Sequence, residues 1–464
     1  MDSWKLITAF NIMRKDVVSF SGAGGKTSAM MRMATEAHER GWRVVSTTTT
    51  KLGVGQESWA PYHLVWKGRQ LDLNKLSRAL DEFGHVLLTG TASDDGTKWQ
   101  SVPSDEVDEI AARNIADLIL VEADGARGHS LKVPNEDEPV IPLSSTLVVP
   151  VVAIDAVGSP IGQTAHRVER VCALTKTEPS DTVTPDIVGQ VILHPQGGCK
   201  NVPANVPIRV LINKVEDTIG VKCARQVAQQ VLRGHVSNTL ATQVDCVVLC
   251  ALEKEKPVVE VQRRVAAVIL AAGSSRRMDS QVPKQLLPWR GKNVIEALVD
   301  RVQQMESITG PVVIVVGSHE AKVRDSLLGQ DLTYVTNQRY FETELISSLQ
   351  IGIQSLPQSV DACLVMLADQ PWIKAELVDR IIQRYAQTGQ PIIAPIFERR
   401  RGHPVLFDRS LWAELCELND DGAPRDVISR HPDQLELVTA DDDWITRDMD
   451  DWEQYRFALN NAPD

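Results

Sequence analysis

Two stretches of this sequence carry side chains whose types and spacing suit phosphate chemistry. The first reads LAAGSSRRM over 270–278, followed after a short spacer by Lys284. A glycine-containing turn at a strand end lets backbone N–H groups approach a phosphate closely. Arg277 and Lys284 add positive charge within reach of a triphosphate. Taken alone, this pattern also describes a solvated basic loop. Carboxylates sharpen it: Asp369 in ADQP at 368–371, and Asp448 and Asp450 in DMD at 448–450. Carboxylates delivered from separate strand ends hold Mg2+ against substrate phosphates. A single Asp at a strand end, such as Asp369, equally fits a helix N-cap.

The second stretch reads SGAGGKT over 21–27. Gly22, Gly24 and Gly25 precede Lys26 and Thr27 at the start of a helical pattern, so backbone N–H groups and the Lys26 ammonium make a phosphate cradle. The Thr27 hydroxyl is then placed to reach Mg2+. A strict P-loop needs glycine where this chain has Phe20, so the loop is a variant, and a glycine-rich surface turn is the other reading. An apolar strand at 118–121 ends in Glu122 and Asp124, as a metal-facing strand of a P-loop domain does. NKVE at 213–216 resembles the guanine-reading NKxD: Asn213 and Lys214 are kept and Glu216 replaces the Asp.

Short β-branched runs alternate with helix-period segments along the whole chain, which predicts an α/β fold with mainly parallel sheets. In the first half strands are expected at 17–20, 44–47, 86–89, 118–121, 147–154, 208–212 and 244–249. In the second half they are expected at 265–270, 312–316, 332–336, 362–367, 392–394 and 405–407, with helices near 294–305, 347–355 and 375–385. After Gly25, the residues Ala29, Met30, Met33, Ala34 and Ala37 fall on one helical face. The charged, Pro-interrupted run at 253–257 divides the chain, giving domains 1–255 and 256–464. At 464 residues, two or three domains are the prior.

A net charge of −12 argues against nucleic acid or an anionic membrane as the main partner. The apolar runs at 147–154 and 265–272 are too short to span a bilayer, and no secretory signal is readable at the start. Seven cysteines, scattered from Cys172 to Cys416, fit reduced thiols in a cytoplasm. Cys246 and Cys250 read as buried small hydrophobes within a strand.

In order along the second half stand LAAGSSRRM, Lys284, Asn337 with SSL at 347–349, ADQP, GHP at 402–404, GAPR at 422–425 and DMD. Together these resemble the molybdenum-cofactor nucleotidyltransferases over essentially all of 263–464. The resemblance implies a Rossmann-like domain that joins a nucleotide to molybdopterin with Mg2+. LAAG and ADQP resemble the CTP-using branch, whereas GTP users typically carry LAGG. It assigns Lys284 to the α-phosphate and Arg277 with the Gly273 loop to the β- and γ-phosphates. Asp369 and Asp450 then hold the metal, with Asp448 as the alternative ligand. Leu270, Ala271, Ala272, Gly273, Ser275, Asn337, Ser347 and Ser348 line the CTP site, and His403 and Arg425 lie toward the pterin. Two positions depart from the pattern: Asp279 follows Met278, and Pro424 interrupts the usual GAR ahead of Arg425.

The first half carries SGAGGKT, TTTTK at 47–51, VEADGAR at 121–127, KVPNEDEPVIP at 132–142, HRVE at 166–169 and NKVE. These resemble the selenium-dependent hydroxylase accessory family over about 1–250, which implies a P-loop domain that takes ATP or GTP. The fusion then implies a cytoplasmic nucleotidyltransferase whose accessory half serves a molybdenum hydroxylase of the xanthine dehydrogenase type. The rival readings are a GTP- or sugar-directed nucleotidyltransferase and a non-catalytic chaperone that grips the cofactor.

Overall fold

Strands fall where β-branched runs stand, because such side chains pack well on a pleated surface covered on both faces. The computed structural model describes residues 4–68, 71–234, 244–273, 282–341 and 345–463. It divides into two units, Met1–Gln262 and Arg263–Asp464, each an α/β domain. Among the described residues no helix is long and apolar enough to cross a membrane.

In the first unit the strands are β1 (Asp16–Gly22), β2 (Val44–Thr48), β3 (Tyr62–Val65), β4 (His85–Thr89), β5 (Leu118–Glu122), β6 (Leu147–Ala153), β7 (Ile208–Asn213), β8 (Val244–Cys250) and β9 (Val258–Arg263). They form a nine-stranded sheet in the order β9-β8-β7-β6-β1-β5-β2-β4-β3. The central pairings are parallel, with β1 between β5 and β6. Successive side chains of β5 alternate between two cores. Leu118 and Leu120 pack with Phe20, Met30 and Met33, whereas Ile119 and Val121 pack with Leu76 and Leu80. The helix Lys26–Glu39 buries Ala29, Met30, Met33, Ala34 and Ala37, the face its periodicity predicts. The strand 147–154 expected from sequence ends at Ala153, where the chain tightens into a 3-10 turn over Ile154–Ala156. The charged run at 253–257 is a connection inside this unit, since β9 extends the same sheet beyond it.

In the second unit the strands are β10 (Val265–Leu270), β11 (Val312–Val316), β12 (Thr333–Thr336), β13 (Ala362–Leu367), β14 (Ile392–Phe397), β15 (Arg400–Arg401), β16 (Val405–Asp408) and β17 (Leu435–Thr439). The eight-stranded sheet runs β12-β11-β10-β13-β16-β14-β15, with β17 added against β14. Here too β10 alternates: Val265, Ala267 and Ile269 face one core, and Ala266, Val268 and Leu270 the other. The sheet is mixed. β10 through β13 pair in parallel, but β16 runs antiparallel to both β13 and β14. The reason is local: β14 and β15 form a tight antiparallel ladder, so the chain turns back too soon for a helical crossover.

Candidate functional site

In the second unit, β10, β12 and β13 all end on one edge of the parallel sheet, where open α/β sheets bind ligands. Leu270, Ala271 and Ala272 are buried at the end of β10. Gly273 follows, and a β-carbon built there would meet nothing within 4 Å among the described residues. The Gln285 amide donates to the carbonyls of Ala271 (2.9 Å) and Gly273 (3.3 Å), bracing this turn. Ser275 and Arg277 lie outside the described residues. Asn337, just past β12, donates to the hydroxyls of Ser347 (2.8 Å) and Ser348 (3.0 Å), so those three residues form one buried polar cluster.

Asp369 lies just past β13. The Lys284 ammonium donates to Asp369 Oδ2 at 2.5 Å and to Asp450 Oδ1 at 3.0 Å. Burial pushes the Lys284 pKa down, but the two carboxylates outweigh it, and the net direction is up. The Asp448 pKa is raised as well, which for a carboxylate favours the neutral form: burial is the first cause, then repulsion from Asp369 and Asp450. Among the described residues no three His, Cys, Asp or Glu side chains stand close enough to cage a cation alone. Two or three carboxylates that supply part of a shell, with substrate phosphates supplying the rest, are the usual Mg2+ arrangement. The mutual repulsion around Asp448 is the chemistry that a hard cation relieves.

A close backbone approach sets the position of the 445–450 segment. A β-carbon on Gly402 would lie 2.1 Å from the Ile445 carbonyl, and the His403 N–H donates to that same oxygen at 2.9 Å. Burial lowers the His403 pKa against an upward pull from Asp369, so the ring stands within electrostatic range of that carboxylate. Gln370 ties the segment from the other side by donating to the Arg447 carbonyl at 2.9 Å. Arg425 lies exposed in the helix Pro424–Arg430. The bracing roles of Gln285 and Gln370 went unread in the sequence, although each sits beside a motif residue.

In the first unit the glycine-rich loop leads from β1 into the helix Lys26–Glu39. Gly22, Gly24 and Gly25 all have positive φ, and a β-carbon on Gly22 or Gly24 would strike Val151 or Ala153 at 2.3 or 2.5 Å. Only glycine fits there. The Lys26 ammonium donates to the Gly22 carbonyl at 2.6 Å and faces Asp124 at 3.3 Å. Thr27 donates to Glu122 at 2.8 Å. Burial raises the Glu122 pKa, against the lowering effect of Lys26 and Thr27. Asn213 donates to the Gly24 carbonyl (2.8 Å) and accepts from the Leu252 N–H (3.1 Å), so its amide braces the loop. Lys214 is exposed and pairs with Asp155 at 2.6 Å. Residues 47–51 lie against the end of β5: the Thr49 N–H and the Thr48 hydroxyl donate to the Glu122 carbonyl at 3.1 Å.

Comparison with known proteins defines the class of each unit. Residues 267–435 match the MobA-like NTP transferase domain, and residues 18–169 match the YqeC protein family. The second unit is thus a nucleotidyltransferase domain. Over 220 residues the chain is 31% identical to the uncharacterized protein YqeC of Escherichia coli (strain K12), covering 47% of this chain and 82% of that one. The chain belongs to the YqeC family, with a MobA-like NTP transferase domain behind the YqeC domain. The bifunctional protein GlmU of Exiguobacterium sibiricum is 32% identical over 126 residues, which are 27% of each chain. The present chain therefore spans about a quarter of that relative. Among solved structures, Rv0371c from Mycobacterium tuberculosis H37Rv is 28% identical over 43% of this chain and 99% of its own, with a TM-score of 0.38.

Proposed function

We propose that residues 263–464 transfer CMP from CTP to the terminal phosphate of molybdopterin, forming molybdopterin cytosine dinucleotide and pyrophosphate. The observation that carries this reading is the convergence of Lys284, Asp369 and Asp450 beside the turn that Gln285 braces at Gly273. A pterin phosphate oxygen attacks the α-phosphorus of CTP, a new P–O bond forms, and the bond to pyrophosphate breaks. Such a reaction asks the protein mainly for positioning and charge neutralisation. Lys284 exchanges a carboxylate partner for an α-phosphate oxygen, and the Gly273 turn with Arg277 takes the outer phosphates. Asp369 and Asp450, with Asp448 nearby, hold Mg2+, which supplies charge neutralisation at the phosphates when bound. His403 and Arg425 lie toward the pterin. The cytidine preference rests on Ala272 in LAAG, whose methyl narrows the base pocket.

The amino-terminal unit is read as a nucleotide-binding accessory of molybdenum hydroxylase maturation. Gly22, Gly24, Gly25, Lys26 and Thr27 cradle the phosphates of ATP or GTP, with Glu122 and Asp124 facing the metal or water. Passing a labile cofactor within one chain gains from high effective concentration.

The deciding experiment supplies the full chain with Mg2+, molybdopterin and each of the four NTPs, and identifies the product by mass. CTP-dependent pyrophosphate release with molybdopterin cytosine dinucleotide as product is the expected outcome. Turnover with GTP alone transfers the site to the guanylyl branch. No pyrophosphate from any NTP leaves cofactor binding without catalysis.

A further inference from the structure

The loop after Asp124 gathers donors that the nucleotide reading does not use. Arg127 is exposed, with a left-handed backbone (φ 50°), and among the described residues no carboxylate pairs with it. Two residues on, His129 stacks on His166, with ring centroids 5.6 Å apart and 15° between planes. A short parallel ladder between Leu131–Lys132 and Ala165–His166 holds the two segments in register. His166 Nδ1 is buried, with no hydrogen-bond partner among the described residues.

The surroundings are cationic, although the nearest charges are partly matched. Lys132 meets Asp124 and Glu138, each at 2.8 Å, and Arg167 grips Glu138 with two bonds of 2.8 and 3.0 Å. Burial first, then the positive charge of Arg167, Lys132, His129 and Arg127, holds the His166 pKa down at about 4. The ring is therefore neutral at pH 7 and sits in a positive field. Asp124 stands between this cluster and the glycine-rich loop, with Oδ2 on Lys132 and Oδ1 3.3 Å from Lys26.

We propose that Arg127, His129 and His166 form an oxyanion subsite of the amino-terminal unit. It takes the phosphate or carboxylate group of a second small molecule beside the glycine-rich loop. Arg offers only donors, in a planar fork that matches either group. In its Nδ1–H tautomer the His166 ring of the same cluster adds a further donor, and a bound anion offsets the positive field that adds to burial in holding the His166 pKa down. The proposal rests neither on the transferase reading nor on Lys26 holding a nucleotide.

The test uses the full chain and follows histidine imidazole resonances by NMR, with His166 assigned from its loss in His166→Gln. Inorganic phosphate and succinate are titrated separately across pH. The expected result is binding of at least one of them, with the His166 midpoint raised by about one pH unit. Preference for phosphate assigns a phosphorylated ligand, and preference for succinate a carboxylate. Arg127→Gln, an exposed change, weakens that binding about tenfold, the scale of one charge-assisted hydrogen bond. Lys26→Ala leaves it intact. The proposal is overturned if neither anion moves the His166 midpoint, if Arg127→Gln binds as the wild type does, or if Lys26→Ala abolishes the effect.

Discussion

The Lys284 ammonium lies 2.5 Å from Asp369 Oδ2, a contact between residues 85 positions apart. Charge-assisted bonds of this kind are about twice as strong as neutral ones. This one puts a cation and a potential metal ligand at the same point of the sheet edge, next to Asp450. A phosphate and a divalent cation arriving together can divide the pair between them.

Lys284→Ala is expected to lower nucleotidyl transfer by about 10²–10³, the scale for removing one transition-state donor. Steady-state pyrophosphate release measures it, with circular dichroism to verify folding. Turnover within a few-fold of the wild type would take Lys284 out of the mechanism.

Asp369→Asn replaces a hard anionic ligand with a neutral amide and also removes one charge from Lys284. Activity at ordinary Mg2+ is expected to vanish and to return only in part at raised Mg2+ or Mn2+. An unchanged Mg2+ titration would leave Asp369 as a partner for Lys284 alone.

Glu138 gives the first unit an acid-sensitive lock. Burial raises its pKa, but the bonds and charge from Arg167 and Lys132 outweigh that and hold it at about 2, below the ordinary 4.5. A depressed carboxylate pKa stabilises the folded state fully above the unfolded value and loses that contribution as pH falls through the folded one. The stabilisation should therefore be complete above pH 4.5 and fade toward pH 2. Glu138→Gln should cost about 2 kcal/mol at neutral pH, the scale of hydrogen bonds to charged groups. Urea unfolding at pH 7 and pH 3 should show the gap to the wild type shrinking in acid. An equal gap at both pH values would mean that Glu138 does not titrate as part of this network.

The two units each close their own sheet, so the fragment 263–464 is expected to fold and to transfer CMP near the full-length rate. In the intact chain Lys26→Ala should weaken nucleotide binding by the first unit and leave CMP transfer unchanged. A tenfold or greater loss of transfer in a folded Lys26→Ala protein would show that the two sites are coupled.

The alternation of β-branched runs and helical periods was enough to predict the rhythm of the fold. Runs such as 118–121 and 265–270 are apolar at every position because both faces of a central strand are covered, and burial writes itself into composition. The strands at Tyr62–Val65 and Leu435–Thr439 escaped that reading because only Leu64 and Val438 in them are buried. Their pairing comes from the neighbouring strand. Gly22 and Gly24 were legible as loop glycines, but the reason no other residue fits, the backbone of Val151 and Ala153, lies more than a hundred positions away. Tertiary structure alone decided partnership. It turned Lys284 onto Asp369 and Asp450, used Asn213 to brace Gly24 and Leu252, and left His166 Nδ1 buried beside His129 with no hydrogen-bond partner among the described residues. Local pattern fixes which backbone a segment prefers, because its terms are propensity and burial within a few residues. Which charge meets which depends on sheet order and loop closure, and those are properties of the assembled chain.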